Sequence, residues 1–295
     1  STAILYASRA TPWLTSKANR GDPYIEFVLG SCLCDGRGIT KNETEAARCY
    51  QRAAEQGHAG AQYNLGICYI YGIGVPRNEE TAARFYHLAA EQGHAAAQNN
   101  LGHCYEVGNG TQLRDSRSFS QYGHHTNDAP STLSYLFCCA SNSYRSSSIE
   151  EEGTRYYQLD SDEKLSTPTL DSGSDYGNGI GIPANPIEAV RYYTLSADQG
   201  HAAALYNLGR CYLNGLGVAK STTEGMKYCR MAADRGLAEA QHLIGYNLVY
   251  GIHIYKSESD GLMYLQLACE QGHAGARAAL DKIETNKNGW LGWMY

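Results

Sequence analysis

The strongest constraint on the fold is that the chain repeats itself every 36 residues. Residues 61–96 and 204–239 align over their whole length, and the string QGHA occurs four times in the chain. Its histidine is His58, His94, His201 or His273. A short unit of this length cannot bury its own apolar side, so successive units must stack on one another. The repeat therefore predicts a solenoid.

Each unit is predicted to hold two helices, and its positions are numbered 1 to 36 from Ile25, Ala61, Ala97, Ala204 and Ala240. Apolar or small residues at positions 1, 5, 8, 9 and 12 form the stripe of a first helix. A G-x-G turn such as Gly72–Gly74 follows it, and an N-cap residue such as Asn78 then opens a second helix. Pro186 falls at a first helical position, where its missing N–H costs nothing. We expect an all-α, right-handed superhelical α/α solenoid of about seven repeats.

The pattern fades in the middle of the chain. Residues 111–181 hold 14 Ser and 6 Thr but two Ala, and they carry ten acidic against five basic residues. Continuing the register across them aligns residues 152–162 with residues 188–198, which predicts two eroded repeats. The alternative is a long, partly disordered acidic loop whose flanks happen to match.

The register also divides the rest of the chain. Residues 1–24 are predicted to be the second helix of a truncated preceding repeat, which favours a fragment of a longer protein. Well-formed repeats are expected at 25–110 and 182–275, and a capping helix with an aromatic tail at 276–295.

Composition narrows the class of partner. The 295 residues carry a net charge of −6, so the chain offers no basic footprint for nucleic acid. No apolar run reaches the length of about 20 residues that crosses a bilayer, so membrane insertion is not expected either.

The repeat pattern resembles the Sel-one-like repeat (SLR) family, relatives of the tetratricopeptide repeat. The resemblance lies in the LGxxYxxGxGV stretch around Leu65, Tyr69 and Val75, the N-x-x-E-A helix start, and the close YYxxAAxQGHAxAQ. It implies a tetratricopeptide-like helical protein that acts as a scaffold or adaptor for protein–protein interaction, without an enzymatic activity. Two alternatives stay open: a penicillin-binding, HCP-like activity, or the repeat region of a longer signalling protein such as a kinase.

The cysteines weigh against the HCP-like branch, whose repeats are held by disulfides. That branch pairs a Cys near the end of the second helix with one eight residues later, but here Cys269 is followed by Arg277. Five cysteines instead share position 8 on the predicted buried stripe, about one helix spacing of 10 Å apart, too far to bridge. They are Cys32, Cys68, Cys104, Cys139 and Cys211. Buried, reduced thiols predict a cytoplasmic location, with the endoplasmic-reticulum lumen as the alternative.

No pattern in the sequence predicts a catalytic, cofactor-binding or metal site. The histidines of the QGHA strings follow helix-ending glycines, where an imidazole can contact exposed carbonyls, and successive copies lie too far apart for one metal ion. We expect no cofactor and no small-molecule substrate.

A protein-binding surface is predicted at positions 3 and 7 of the first helix, opposite the apolar stripe. These positions vary between units while the frame stays the same, as expected where each repeat contributes its own contacts to a partner. In tetratricopeptide-type solenoids the first helices line the concave face. The predicted binding residues are Tyr63, Ile67, Asn99, His103, Tyr206, Arg210, His242 and Tyr246.

Overall fold

The computed structural model describes residues 21–108 and 182–291, with side chains to residue 285. Every regular element in these residues is an α-helix, as the repeat pattern predicts. The five first helices are α1 (Pro23–Asp35), α3 (Ala59–Tyr71), α5 (Ala95–Val107), α7 (Ala202–Asn214) and α9 (Ala238–Tyr250). The five second helices are α2 (Glu43–Glu55), α4 (Glu79–Glu91), α6 (Pro186–Asp198), α8 (Thr222–Asp234) and α10 (Glu258–Glu270). A terminal helix, α11 (Ala274–Leu291), follows.

The helix boundaries follow from the capping residues. In the second repeat, α3 ends at Gly72, which adopts a left-handed φ of 71° and donates its N–H to the carbonyl of Cys68. Helix α4 begins after Asn78, whose side chain accepts the N–H of Thr81 at 3.0 Å. The same pair of caps recurs in the first, third and fourth repeats, whereas Ser257 in the fifth makes no side-chain capping bond. The ten helices of these five repeats are each 13 residues long.

The helices stack in chain order, each packing on the one before it. Within a repeat the first and second helices approach closely because position 6 is glycine. A Cβ on Gly66 would lie 2.6 Å from the ring of Tyr86, and one on Gly102 would lie 2.8 Å from the ring of Tyr193. Large side chains of the second helix thus fill the space that glycine leaves on the first.

The third repeat is interrupted between its two helices. Helix α5 packs directly on α6, and the N–H of Asn185 donates to the carbonyl of Tyr105 at 2.8 Å. The equivalent hydrogen bond joins the two helices of the other repeats. In the second repeat the N–H of Asn78 donates to the carbonyl of Tyr69 at 2.9 Å, and these residues are nine positions apart in the chain instead of 80. Helices α5 and α6 therefore pair as the two helices of one repeat, although 80 residues separate the bonded groups.

This pairing bears on the predicted repeat count. The two eroded units predicted within 111–181 lie outside the described residues, and so does most of the segment 1–24. Whether residues 111–181 form two eroded repeats or one long loop therefore stays a prediction. The described residues form five helix pairs, so the count of seven is not confirmed.

Candidate protein-binding face

Positions 3, 7 and 11 of the first helices form one surface, which we name the first-helix face. The spacing of four residues places them on the same side of each helix. Position 3 holds Phe27, Tyr63, Asn99, Tyr206 and His242. Position 7 holds Ser31, Ile67, His103, Arg210 and Tyr246. Position 11 holds Asp35, Tyr71, Val107, Asn214 and Tyr250.

Two of the predicted binding residues are not available on this surface. Tyr63 is 7% exposed and Ile67 is 2% exposed, because the following repeat covers them. The ring of Tyr63 lies 4.8 Å from the imidazole of His94 and 5.9 Å from the ring of Tyr86. The prediction that both residues face a partner is corrected, since they belong to the core between repeats.

The other six predicted residues reach the surface to different degrees. Tyr246 is 37% exposed, and its ring packs 4.6 Å from that of Tyr250, which is 39% exposed. The half-buried residues are Asn99, His103, Tyr206, Arg210 and His242. Tyr71, which the sequence argument omitted, is 51% exposed.

Three of the predicted residues meet in a polar cluster at the centre of the face. The amide of Asn207 donates to Asn99 Oδ1 at 3.1 Å, which links α7 to α5. Arg210 lies 3.5 Å from Asn207 Oδ1 and 3.7 Å from Glu106 Oε1, and His103 Nδ1 lies 3.8 Å from Glu106 Oε2. We name Asn99, His103, Glu106, Asn207 and Arg210 the polar centre.

Glu106 holds the polar centre together. It accepts a hydrogen bond of 2.6 Å from the hydroxyl of Tyr193 on α6. Burial opposes ionisation of this carboxyl group, but His103, the Tyr193 hydroxyl and the charge of Arg210 outweigh it, and the pKa of Glu106 lies below its ordinary value. The carboxylate is therefore charged at neutral pH and balances Arg210.

Sequence reasoning missed Glu106, although a signal was present. Glu106 occupies position 10, where the other described repeats carry Cys34, Ile70, Leu213 and Val249. A single acid in an otherwise apolar row indicates a local polar cluster.

The QGHA histidines have a different role from the predicted one. Each is the N-cap of the next first helix, and its Nδ1 accepts the N–H of the residue three positions on. These bonds are 3.1 Å for His58, 3.2 Å for His94, 3.4 Å for His201 and 3.1 Å for His273. Nδ1 must be unprotonated to accept, so the proton of the neutral ring lies on Nε2.

The histidine caps also join neighbouring repeats, because each can stack on the position-3 side chain of the preceding first helix. Phe27 stacks on His58 at 4.7 Å and Tyr63 on His94 at 4.8 Å. Burial, with the charges of His201 and His58, lowers the pKa of His94 to about 4. The recurrence of the histidines is thus accounted for by capping, and no group of three potential metal-ligating side chains occurs among residues 21–108 and 182–285.

Glutamines form a second connection between repeats. The buried Gln98 donates to the carbonyl of Ala90 in the preceding second helix at 3.2 Å and accepts from Gln199 at 2.8 Å. Gln62 and Gln241 repeat this arrangement. Buried amides with both partners satisfied fix the register of the stack.

The sequence and fold comparisons identify the family. The Sel1 repeat family matches residues 26–58, 59–94, 95–118, 173–201, 202–237 and 238–273. The chain therefore belongs to the Sel1 repeat family, whose members are generally scaffolds for protein interaction. No curated protein sequence matches the chain.

Solved structures show the same fold. A Sel1 repeat protein from Oxalobacter formigenes is 21% identical, with a TM-score of 0.65 over 94% of this chain and 84% of that one. The protective antigen c5321 of uropathogenic Escherichia coli, described as displaying an SLR fold, is 21% identical, with a TM-score of 0.48 over 95% of this chain and 52% of that one. The immunity protein PA5088 from Pseudomonas aeruginosa is 14% identical, with a TM-score of 0.46 over 90% and 74%. Among the described helices, none has the length and apolar character needed to cross a membrane.

Proposed function

We propose that this chain is a non-catalytic scaffold that binds a segment of a partner protein along the first-helix face. The observation that carries the proposal is the polar centre, which lies across two repeats between exposed tyrosines of other repeats. Tyr71 comes from the second repeat, and Tyr246 and Tyr250 come from the fifth.

The chemistry of the face suits a polypeptide. The half-buried amide of Asn99 and guanidinium group of Arg210 supply donors and acceptors that match a peptide backbone and its polar side chains, and the buried Asn207 holds both in place. Tyrosines offer large contact areas with few rotatable bonds, and they are enriched where partners bind tightly. The frame residues recur from repeat to repeat, whereas these side chains differ, which supports recognition of one particular sequence.

The test uses side chains that are exposed, so that folding is preserved. A photo-reactive phenylalanine analogue is placed at Tyr71 or Tyr250 on the face, and in a matched control at Tyr255, which is 91% exposed in the turn between α9 and α10. Cross-linked proteins from the source cell are then identified by mass spectrometry.

The expected result is one set of proteins captured from both face positions and absent from the control. A Tyr71→Ser, Tyr246→Ser, Tyr250→Ser variant with an unchanged melting temperature should lose that set, whereas Tyr255→Ser should retain it. Equal capture from the control position, or full capture by the triple variant, would reject the first-helix face as the binding surface.

A further inference from the structure

The contact between the last repeat and the terminal helix differs from the other contacts between repeats. At the first two junctions the histidine cap stacks on Phe27 or Tyr63 at position 3, but here His273 contacts a second histidine. The imidazoles of His242 on α9 and His273 at the start of α11 lie 4.7 Å apart.

The two rings form a close, tilted contact beside the first turn of α11, with an angle of 31° between their planes. A Cβ added to Gly275 would lie 3.1 Å from His273 Cε1 and 3.2 Å from His242 Cε1, so both imidazoles press on this glycine. His273 Nδ1 accepts the N–H of Ala276 at 3.1 Å, which requires a neutral ring.

Protonation opposes this arrangement in three ways. A proton on Nδ1 of His273 removes the acceptor that caps α11. It also places a positive charge at a helix N-terminus, where the helix dipole is already positive. Protonation of both rings puts two positive charges side by side in a half-buried contact, where they repel more strongly than in water.

The groups around His242 also oppose its protonation. Burial lowers the pKa of His242, and the charge of His273 lowers it further. The ring of Tyr246 on α9 lies 6.4 Å from His242. The other charged or titratable side chains in the adjoining turns are Asp234 and Arg235 at the end of α8, Glu239 on α9, Cys269 and Glu270 on α10, and Arg277 on α11.

Over residues 274–285 the terminal helix contacts the last repeat through a small apolar cluster. The buried side chains of this stretch are Ala276, Ala279 and Ile283, which pack with Val249, Leu265 and Ala268 in a cluster separate from the two larger cores. Alanines bury little area, and terminal elements with few apolar contacts open at low free energy. A modest electrostatic change at the His242–His273 contact can therefore shift the equilibrium between the docked and the released helix α11.

We propose that the contacting pair His242–His273 is an acid-sensitive latch. It holds helix α11 on the last repeat while the imidazoles are neutral and releases the helix when they are protonated. The neutral rings hold the helix at pH 7 and above. The released state binds more protons than the latched state below the ordinary histidine pKa of about 6.5, so acid favours release. Release exposes the apolar surface of the last repeat.

The experiment is hydrogen exchange by mass spectrometry on the full chain between pH 7.5 and 5.5, corrected for the intrinsic exchange rate at each pH. We expect the protection of residues 276–285 to fall by about tenfold or more, since one pKa unit corresponds to a factor of ten for each group. Residues 97–104, behind the cap of His94, provide the internal reference and should change less.

Two variants isolate the imidazole pair, and both copy side chains that the chain itself uses at position 3. His242→Tyr reproduces the contact of Tyr63 with His94, and His242→Asn reproduces the residue in front of His201. In either variant the His273 cap can still be protonated, but the repulsion between two imidazolium rings is gone. Residues 276–285 should therefore lose less protection at pH 5.5 than in the unmodified chain. The latch is rejected if acid deprotects residues 276–285 equally in a folded variant, or if residues 97–104 lose protection to the same extent in the unmodified chain.

Discussion

The ring of Tyr63 stacks on the imidazole of His94 at 4.8 Å, and this contact joins the second repeat to the third. It combines a helix cap, supplied by His94, with an aromatic contact from the preceding first helix. The junction between the fourth and fifth repeats has the aromatic residue but lacks the side-chain helix cap. Its cap position holds Leu237, which makes no side-chain capping bond, although Tyr206 occupies position 3.

Restoring the cap at this junction should stabilise the protein. Leu237→His is expected to exceed Leu237→Ala in free energy of unfolding by about 1 kcal/mol, the usual contribution of an N-cap side chain. Urea unfolding at pH 7.5 measures the difference, and the alanine variant controls for the loss of leucine packing. Equal stability of the two variants would show that histidine makes no cap there.

Acid should destabilise the repeats through the buried His94. Its pKa of about 4 in the folded protein lies below the value of about 6.5 expected in the unfolded chain. The unfolded chain therefore binds the extra proton first, and the free energy of unfolding falls as the pH drops from about 6.5 to about 4. His94→Asn keeps a capping oxygen that does not titrate, so its melting temperature should depend less on pH over this range. An unchanged pH dependence would contradict a neutral, buried His94.

The repeat register predicted the local structure of the described repeats well, because helices, caps and turns depend on residues close in the chain. Asn78 caps α4 and Pro186 opens α6 where the pattern placed them. The exposure of side chains on the first-helix face was predicted less well. The burial of Tyr63 depends on how the next repeat lies against it, and the side-chain periodicity of a single helix does not contain that information.

The interruption of the third repeat could not be decided by counting residues for a related reason. Residues 111–181 come within one residue of two 36-residue periods, so both an insertion and two eroded repeats preserve the register. The hydrogen bond between Asn185 and Tyr105 shows that α5 and α6 are neighbours in space, which the residue count could not show.

The close approach of the two helices within a repeat predicts a cost for adding a single methyl group. In Gly66→Ala the new Cβ would lie 2.6 Å from Tyr86, whose ring is itself buried. Overpacking of this kind costs about 1–3 kcal/mol, which outweighs the gain of about 1 kcal/mol in helix propensity. The variant should therefore unfold at lower urea concentration than the unmodified protein, and a higher midpoint would show that the helices can separate freely.

The cysteines that are buried between the helices should resist alkylation while the protein is folded. Burial raises the pKa of Cys68, Cys211 and Cys229 to about 12 in each case, against an ordinary value of 9.0. A rise of about three pKa units leaves roughly a thousandfold less of the reactive thiolate at pH 8, and burial also blocks access. Among the cysteines of residues 21–108 and 182–285, Cys32 and Cys269 are only partly buried and should react first with iodoacetamide, as mapped by mass spectrometry. The three buried thiols should become modified only in urea, so their rapid modification in the native protein would contradict a closed core between the repeats.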